Sequence, residues 1–365
     1  MNKKALIIFG ATGALAHDKI FPSLKSLFDK KAAIVSNLEV VGYGRKDLGS
    51  EFEGFSYIKG GLDNLSSLSK YLLSKNVSET YSYVSLPPNL YLQTIESIVA
   101  TFSNYKFRIA LEKPFGSNLN EGIILSNVIK KYGYQNFYLI DHFLAKQSII
   151  NFSEIPEKYK DIKNIKQIEI SLLENEGIGD RGEFYDDLGA IKEVGQNHLL
   201  NTLVAFLGPQ DKELFLSKLV YTPNSLIIGQ YEGYTKTTGV KEDSKTETFF
   251  KTEFKYENIK ITFRSGKNLK ENKTYLKIDY NDGNNLYIEV KPKQLVTPEI
   301  LNWKQEQTTP HEYIIEDFLN DKNRFSISTN QALAGWEVIG KIDNKREVLE
   351  IKKYSQGNSF EEIER

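Results

Sequence analysis

The stretch Ala5-Leu6-Ile7-Ile8-Phe9-Gly10-Ala11-Thr12-Gly13-Ala14-Leu15-Ala16 decides how the rest of the chain is read. An apolar run over residues 5–9 that glycine ends at once reads as a short buried strand. The GxxGxxA loop behind it opens a helical stretch over about 13–28. Glycines in such a loop let backbone N–H groups approach a pyrophosphate, and the helix N-terminus favours its negative charge. The pattern alone is weak evidence, because glycine turns are common, and the competing reading is an ordinary strand–helix turn. Its place directly after a strand and before a helix is what gives it weight.

Working outward, strand-like segments follow at 38–43, 81–86, 107–111 and 137–140, with helical segments at 65–74, 91–102 and 119–132. Strands alternating with helices predict a parallel sheet covered on both faces, an α/β Rossmann-type dinucleotide-binding domain over residues 1–145. The second strand runs into Val41-Gly42-Tyr43-Gly44-Arg45-Lys46. An acid usually follows that strand in NAD enzymes and binds the ribose 2′-hydroxyl; a guanidinium there suits the 2′-phosphate of NADP instead. Asp47 is close by, and the competing reading of Arg45 is a solvated surface arginine.

Residues 146–365 have another pattern. A strand at 165–173, a Gly- and acid-rich loop and a long helix at 186–207 are followed by alternating segments at 225–231, 246–256, 259–265, 273–280 and 285–290. These predict an α+β domain with a large, mainly antiparallel sheet. Helices are expected at 312–319 and 330–342, and the tail beyond Lys353 is expected to fray.

The chain has 365 residues, 40% hydrophobic and 26% charged, with a formal net charge of −1. That balance fits two globular domains and shows no basic concentration of the kind a nucleic-acid binder carries. There is no cysteine, which excludes disulfides and thiolate metal sites. The first apolar run is shorter than the roughly 7–15 residues of an export signal, and no stretch reaches the roughly 20 of a membrane span. A cytoplasmic address without membrane association is the expectation.

Four histidines occur. His198, in Gln196-Asn197-His198-Leu199-Leu200, reads from the helix alone as a hydrogen-bonded core residue. His142 ends the fifth strand in Asp141-His142-Phe143, where ligands of open parallel sheets gather, and Lys146 follows four residues later. His17 and His311 read as surface residues. Glu112-Lys113-Pro114 closes the fourth strand at the same rim; Lys113 is either a ligand contact or a solvated loop lysine.

Together FGATGALAHDKIFPSL, VVGYGR, SLPPNLY, IALEKPFG, LIDHFLAKQ, EGIGDRGEFYDDLGAIKEVGQNHLL, GQYEGY, KEDSKTETF and FRSGKNL resemble, in order and spacing, the glucose-6-phosphate dehydrogenase family. The resemblance implies oxidation of glucose 6-phosphate at C1 to 6-phosphoglucono-lactone with NADP, the first step of the oxidative pentose phosphate pathway. It implies His198 as the base with Asp141 as its partner carboxylate. It further implies cofactor contacts from Gly10, Thr12, Gly13, Leu15, Arg45 and Lys113, and substrate contacts from Lys19, His142, Lys146, Glu174, Glu193 and Lys267. No metal is implied, because the cofactor accepts the electrons, and a homodimer is expected from the same likeness. Departures are Ala14, His17-Asp18, Phe143 for a tyrosine, Ala145 for a glycine, Glu193 for an aspartate and Asn272 for a cation, with Lys273 beside it. The alternatives are a related sugar or sugar-phosphate dehydrogenase, or a catalytically silent NADP-binding regulator.

Overall fold

The computed structural model describes residues 3–290, 308–346 and 348–365. The chain forms two compact units: Met1–Ala145 together with Thr308–Thr329, and Lys146–Gln307 together with Asn330–Arg365.

In the first unit the strands are β1 (Lys3–Phe9), β2 (Leu38–Gly44), β3 (Glu51–Phe52), β4 (Phe55–Lys59), β5 (Val77–Val84), β6 (Lys106–Glu112) and β7 (Phe137–Ile140). Their order is β7-β6-β5-β1-β2-β4-β3, parallel from β7 through β4, with β3 antiparallel at one edge. Residues 5–9 of β1 are fully buried, as a central strand packed on both faces must be. The chain steps from β1 to β2 and β4 on one side, then returns to β5 on the other. That reversal places a crevice at the C-terminal end of β1. Sequence reading misses β3 and β4, although Phe55-Ser56-Tyr57-Ile58-Lys59 before two glycines carries a strand signal.

The segment 308–329, expected in the second domain, completes this first unit. Its helix Pro310–Leu319 begins with a capping box between Thr309 and Glu312. Phe318 meets the rings of Tyr81 and Tyr138 edge-on at 5.3 and 5.1 Å. Asp321 pairs with Lys106 at 2.7 Å and Arg108 at 3.0 Å, and Ser326–Ile327 adds an antiparallel strand beside β7. A linear reading divides a chain once and cannot see a segment that crosses back.

In the second unit a sheet of β8 (Ile165–Leu173), β10 (Ile227–Tyr231), β11 (Phe249–Tyr256), β12 (Ile259–Gly266), β13 (Lys273–Tyr280) and β14 (Asn285–Glu289) runs β14-β13-β8-β12-β11-β10, with β9 (Val220–Tyr221) pairing β11. It is mainly antiparallel; β8 and β12 are parallel neighbours. The tail does not fray. Lys352–Tyr354 pairs with β10, and the helix Phe360–Glu364 has its own capping box. Tyr354, Phe360 and Ile363 are buried in a cluster with Leu173, Tyr231 and Leu269. Those apolar side chains outweigh the ordering entropy that Gly357 and Asn358 suggest.

Phe318→Ala should lower the unfolding free energy by about 3–5 kcal/mol, the range for a buried aromatic reduced to alanine. Denaturant unfolding measures it, and an unchanged midpoint would mean that 308–329 is not part of the first unit's core.

Candidate functional site

The first unit's site grows from the turn after β1. Gly10 adopts φ 77°, and a Cβ there would stand 2.3 Å from the Ser85 carbonyl oxygen; only glycine fits. The Gly10 N–H donates to the Tyr43 carbonyl at 3.0 Å, and the Gly13 N–H to the Gly10 carbonyl at 2.9 Å. The helix that follows begins as a π-helical turn, Ala16–Ile20, and continues as Phe21–Asp29. At this end of the sheet lies a cavity of about 400 Å³. Its lining includes Gly10, Thr12, Gly13, Arg45, Lys46 and Asp63, but neither Leu15 nor Lys113. The size is within the range of small-molecule sites.

Arg45 is exposed at the cavity. Asp47, the nearest acid in sequence, is instead paired with Lys59 at 2.8 Å, and this hydrogen bond holds its carboxyl below the usual range. The cavity's far wall comes from the loop after β4, which sequence reading did not assign. The Tyr43 hydroxyl donates to the Gly61 carbonyl at 2.9 Å and so fixes that wall. A glycine cradle, a helix N-terminus and an Arg45–Lys46 pair form a donor set that fits a phosphorylated dinucleotide.

Farther along the sheet, Lys113 follows β6 and Asp141 follows β7. Asp141 is buried, and its carboxylate accepts the Phe143 N–H at 2.9 Å. His142 beside it is half-buried. Lys19 is exposed on the first helix. His311 is not at the surface: the returning segment buries it and stacks it on His142. Glu112 is buried and accepts a hydrogen bond from the Tyr83 hydroxyl. Burial pushes its carboxyl up to about 7, against the lowering effects of Tyr83 and Lys113.

In the second unit, Glu174 and Lys267 sit just past the parallel neighbours β8 and β12, whose register ends with Leu173 opposite Gly266. The parallel pairing brings the two side chains together, and the Lys267 ammonium bonds the Glu174 carboxylate. Lys267 is 4% exposed. Burial opposes its charge, but Glu193 and Glu174 outweigh it and raise its pKa. The Tyr354 hydroxyl donates to the Lys267 carbonyl at 2.7 Å, so the ordered tail supports this loop. Lys273 is turned elsewhere, its ammonium 5.3 Å from the Tyr275 ring centre and 5.7 Å from that of Phe360. Lys146 is buried at the start of the short helix Gln147–Ile150.

The expected single helix over 186–207 is three pieces: Gly182–Ala190 with a kink at Gly189, a π-helix Ile191–Leu199, and an α-helix Leu200–Leu207. In an α-helix of 3.6 residues per turn, Glu193 and His198 would lie about 140° apart. The i→i+5 bonding of the π-helix turns less per residue, so residues five apart come nearer to one side. Both residues are 3% exposed. The Glu193 carboxylate is held by Arg181 at 2.6 Å, with Lys267 at 3.6 Å. Arg181, which sequence reading passed over although it stands in the quoted EGIGDRG loop, joins this group of charges through Glu193.

Gly189 has φ 71°, and a Cβ there would lie 2.4 Å from Glu247 Oε1. That oxygen accepts the Ile191 N–H at 3.0 Å, while Arg346 pairs with Oε2 at 2.9 Å. The helix carrying Glu193 and His198 therefore starts on a buried carboxylate.

The family described as "Glucose-6-phosphate dehydrogenase, NAD binding domain" matches residues 7–55 and 50–151, and "Glucose-6-phosphate dehydrogenase, C-terminal domain" matches 152–302. Glucose-6-phosphate 1-dehydrogenase 1 of Mycobacterium tuberculosis (strain CDC 1551 / Oshkosh) is 29% identical over 312 residues, covering 72% of this chain and 66% of that protein. Glucose-6-phosphate 1-dehydrogenase of Cyberlindnera jadinii is 28% identical over 360 residues, covering 81% and 72%. The alignments thus span about two thirds of the length of these relatives. A solved glucose-6-phosphate dehydrogenase in complex with its substrate glucose-6-phosphate superposes with a TM-score of 0.84 at 22% identity, over 98% of this chain and 95% of that one. At that identity the likeness is one of fold.

Because Glu112 is protonated more readily in the folded chain than in the unfolded one, its contribution to stability is full below about pH 4.5 and is lost as pH rises toward about 7. Glu112→Gln should flatten the pH dependence of the denaturation midpoint across that window. A slope unchanged from the parent would exclude Glu112 as its source.

Proposed function

The chain belongs to the glucose-6-phosphate dehydrogenase family, and from that premise we propose that it oxidises D-glucose 6-phosphate at C1, with NADP as the acceptor. His198 takes the proton of the anomeric hydroxyl as the C1 carbonyl forms, and Asp141 is the carboxylate that stabilises the resulting imidazolium. NADP, when bound, supplies the nicotinamide carbon that receives the C1 hydride. Glu174, Glu193 and Lys267 orient the sugar hydroxyls, and His142 and Lys146 meet the phosphate. Lys19 and Lys113 bring further positive charge to substrate and cofactor. Gly10, Thr12, Gly13 and Leu15 carry the dinucleotide turn, and Arg45 meets the 2′-phosphate.

The feature that supports this most directly is the π-helix Ile191–Leu199, whose wider turn sets the buried Glu193 and His198 nearer to one side than an α-helix would. An α-helix with the same sequence would separate a sugar-orienting carboxylate from the base. π-Helical turns are rare and concentrate at functional sites. A cytoplasmic address and a homodimer through the second unit's sheet belong to the same proposal. Among the described residues, no helix is long and apolar enough to cross a membrane.

Two variants test the assignment through nicotinamide absorbance. His198→Asn should reduce turnover by roughly 100- to 10,000-fold, the usual cost of a missing general base, with sugar-phosphate binding retained. Near-normal turnover would return His198 to the core. Arg45→Ala should weaken NADP binding by about 10- to 100-fold, as expected on removing a charge-assisted contact, while NAD is little affected. Equal losses with both cofactors would remove Arg45 from the 2′-phosphate.

A further inference from the structure

His311 opens a helix that belongs to the dinucleotide unit although it lies far along the chain. Its imidazole is 5% exposed. The ring lies nearly parallel to that of His142, with centroids 5.8 Å apart and planes 21° from each other. Phe143 meets His142 nearly edge-on, at 5.2 Å and 72°. His142 is therefore bracketed by two rings of its own unit, one from its neighbour in sequence and one from the returning segment. The Nε2 of His311 has no hydrogen-bond partner among the described residues and stands 4.0 Å from Glu112 Oε1. Burial, with Lys19 as the lesser cause, drives its pKa down to about 4. The ring is thus neutral near pH 7 and can lie against His142 in either protonation state without charge repulsion.

We propose that His311 is a positioning residue for His142: its ring, stacked on the His142 face, fixes the orientation in which His142 presents an N–H to the phosphate of the sugar phosphate. The inference rests on the proposed role of His142. An imidazole at the end of a strand can turn about its side-chain bonds, and a phosphate contact needs one of its nitrogens aimed. The stack limits that turning from the face of the ring. What matters is the flat ring and not its nitrogens, so phenylalanine should serve in its place.

The test compares His311→Ala with His311→Phe. An offset aromatic pair contributes a few-fold in binding, so His311→Ala should raise KM for glucose 6-phosphate by about 2- to 10-fold, with kcat and KM for NADP nearly unchanged. His311→Phe should restore the parent KM. If phenylalanine is as poor as alanine, or if alanine leaves KM unchanged, the stack does not position His142. A second readout needs no turnover. The chain has only four histidines, so their ring signals can be separated by NMR. Inorganic phosphate should shift the His142 signals in the parent and in His311→Phe, and at higher concentration in His311→Ala. That result in a folded protein inactive on glucose 6-phosphate would uphold the positioning role while the proposed reaction failed. No effect of phosphate on His142 in the parent would overturn the inference.

Discussion

A buried carboxylate at a helix start governs the second unit. Glu247 is fully buried, and burial raises its pKa even though Arg346 pulls the other way. It remains inside because two backbone demands converge on it. The Ile191 N–H needs an acceptor at the first position of a helix, and the Ala190 N–H donates to the Glu247 carbonyl at 3.1 Å. Orphan donors at a helix start favour negative charge there. Gly189 is the price of that arrangement, since any side chain would occupy the space of the carboxylate. With the start fixed, the helix type sets how Glu193 and His198 are placed relative to each other.

The helix type is also where sequence reading stops. The apolar spacing of 186–207 is compatible with a helix, and a helix is there, but nothing in the periodicity separates i→i+4 from i→i+5 bonding over nine residues. The distinction comes from tertiary packing. A Cβ at Gly195 would lie 3.1 Å from the Phe250 ring, and one at Gly335 would lie 2.9 Å from the Gln196 carbonyl. By contrast, β1, the Gly10 turn and the parallel alternation were legible, because each depends on local chemistry: an apolar run, a glycine and a following helix. His311 was misread for the opposite reason. Pro310 and Glu312 beside it look like a solvated helix start; a helix does start there, but Glu312 is buried with His311. Burial comes from strands more than 150 residues earlier, which no local window contains.

Within the first unit the returning segment makes the same point. Asp321 finds Lys106 and Arg108 on β6, and the Phe325 carbonyl accepts the Asp141 N–H at 3.2 Å. The rim of the sheet that holds Asp141 and His142 is therefore shaped by residues that sequence order assigns to the other domain. Position along the chain informs only weakly about which unit supplies a supporting group.

Charge balance gives the division of labour at the proposed substrate site. Lys267 and Arg181 face Glu174 and Glu193, so this group of two cations and two carboxylates, buried at Lys267 and Glu193 and open at Arg181, is close to neutral in itself. It has little positive charge left to offer a phosphate dianion. It does offer oriented donors and acceptors, which is what sugar hydroxyls require, in a setting where a paired charge keeps its direction and an unpaired one would not survive burial. The replacement of aspartate by Glu193 fits this account: the longer side chain still reaches Arg181 and Lys267. The phosphate must then be met by cations outside the group, and on the proposed reading these are Lys146 and His142. For His142 the orientation of a single ring, more than added charge, becomes the limiting requirement.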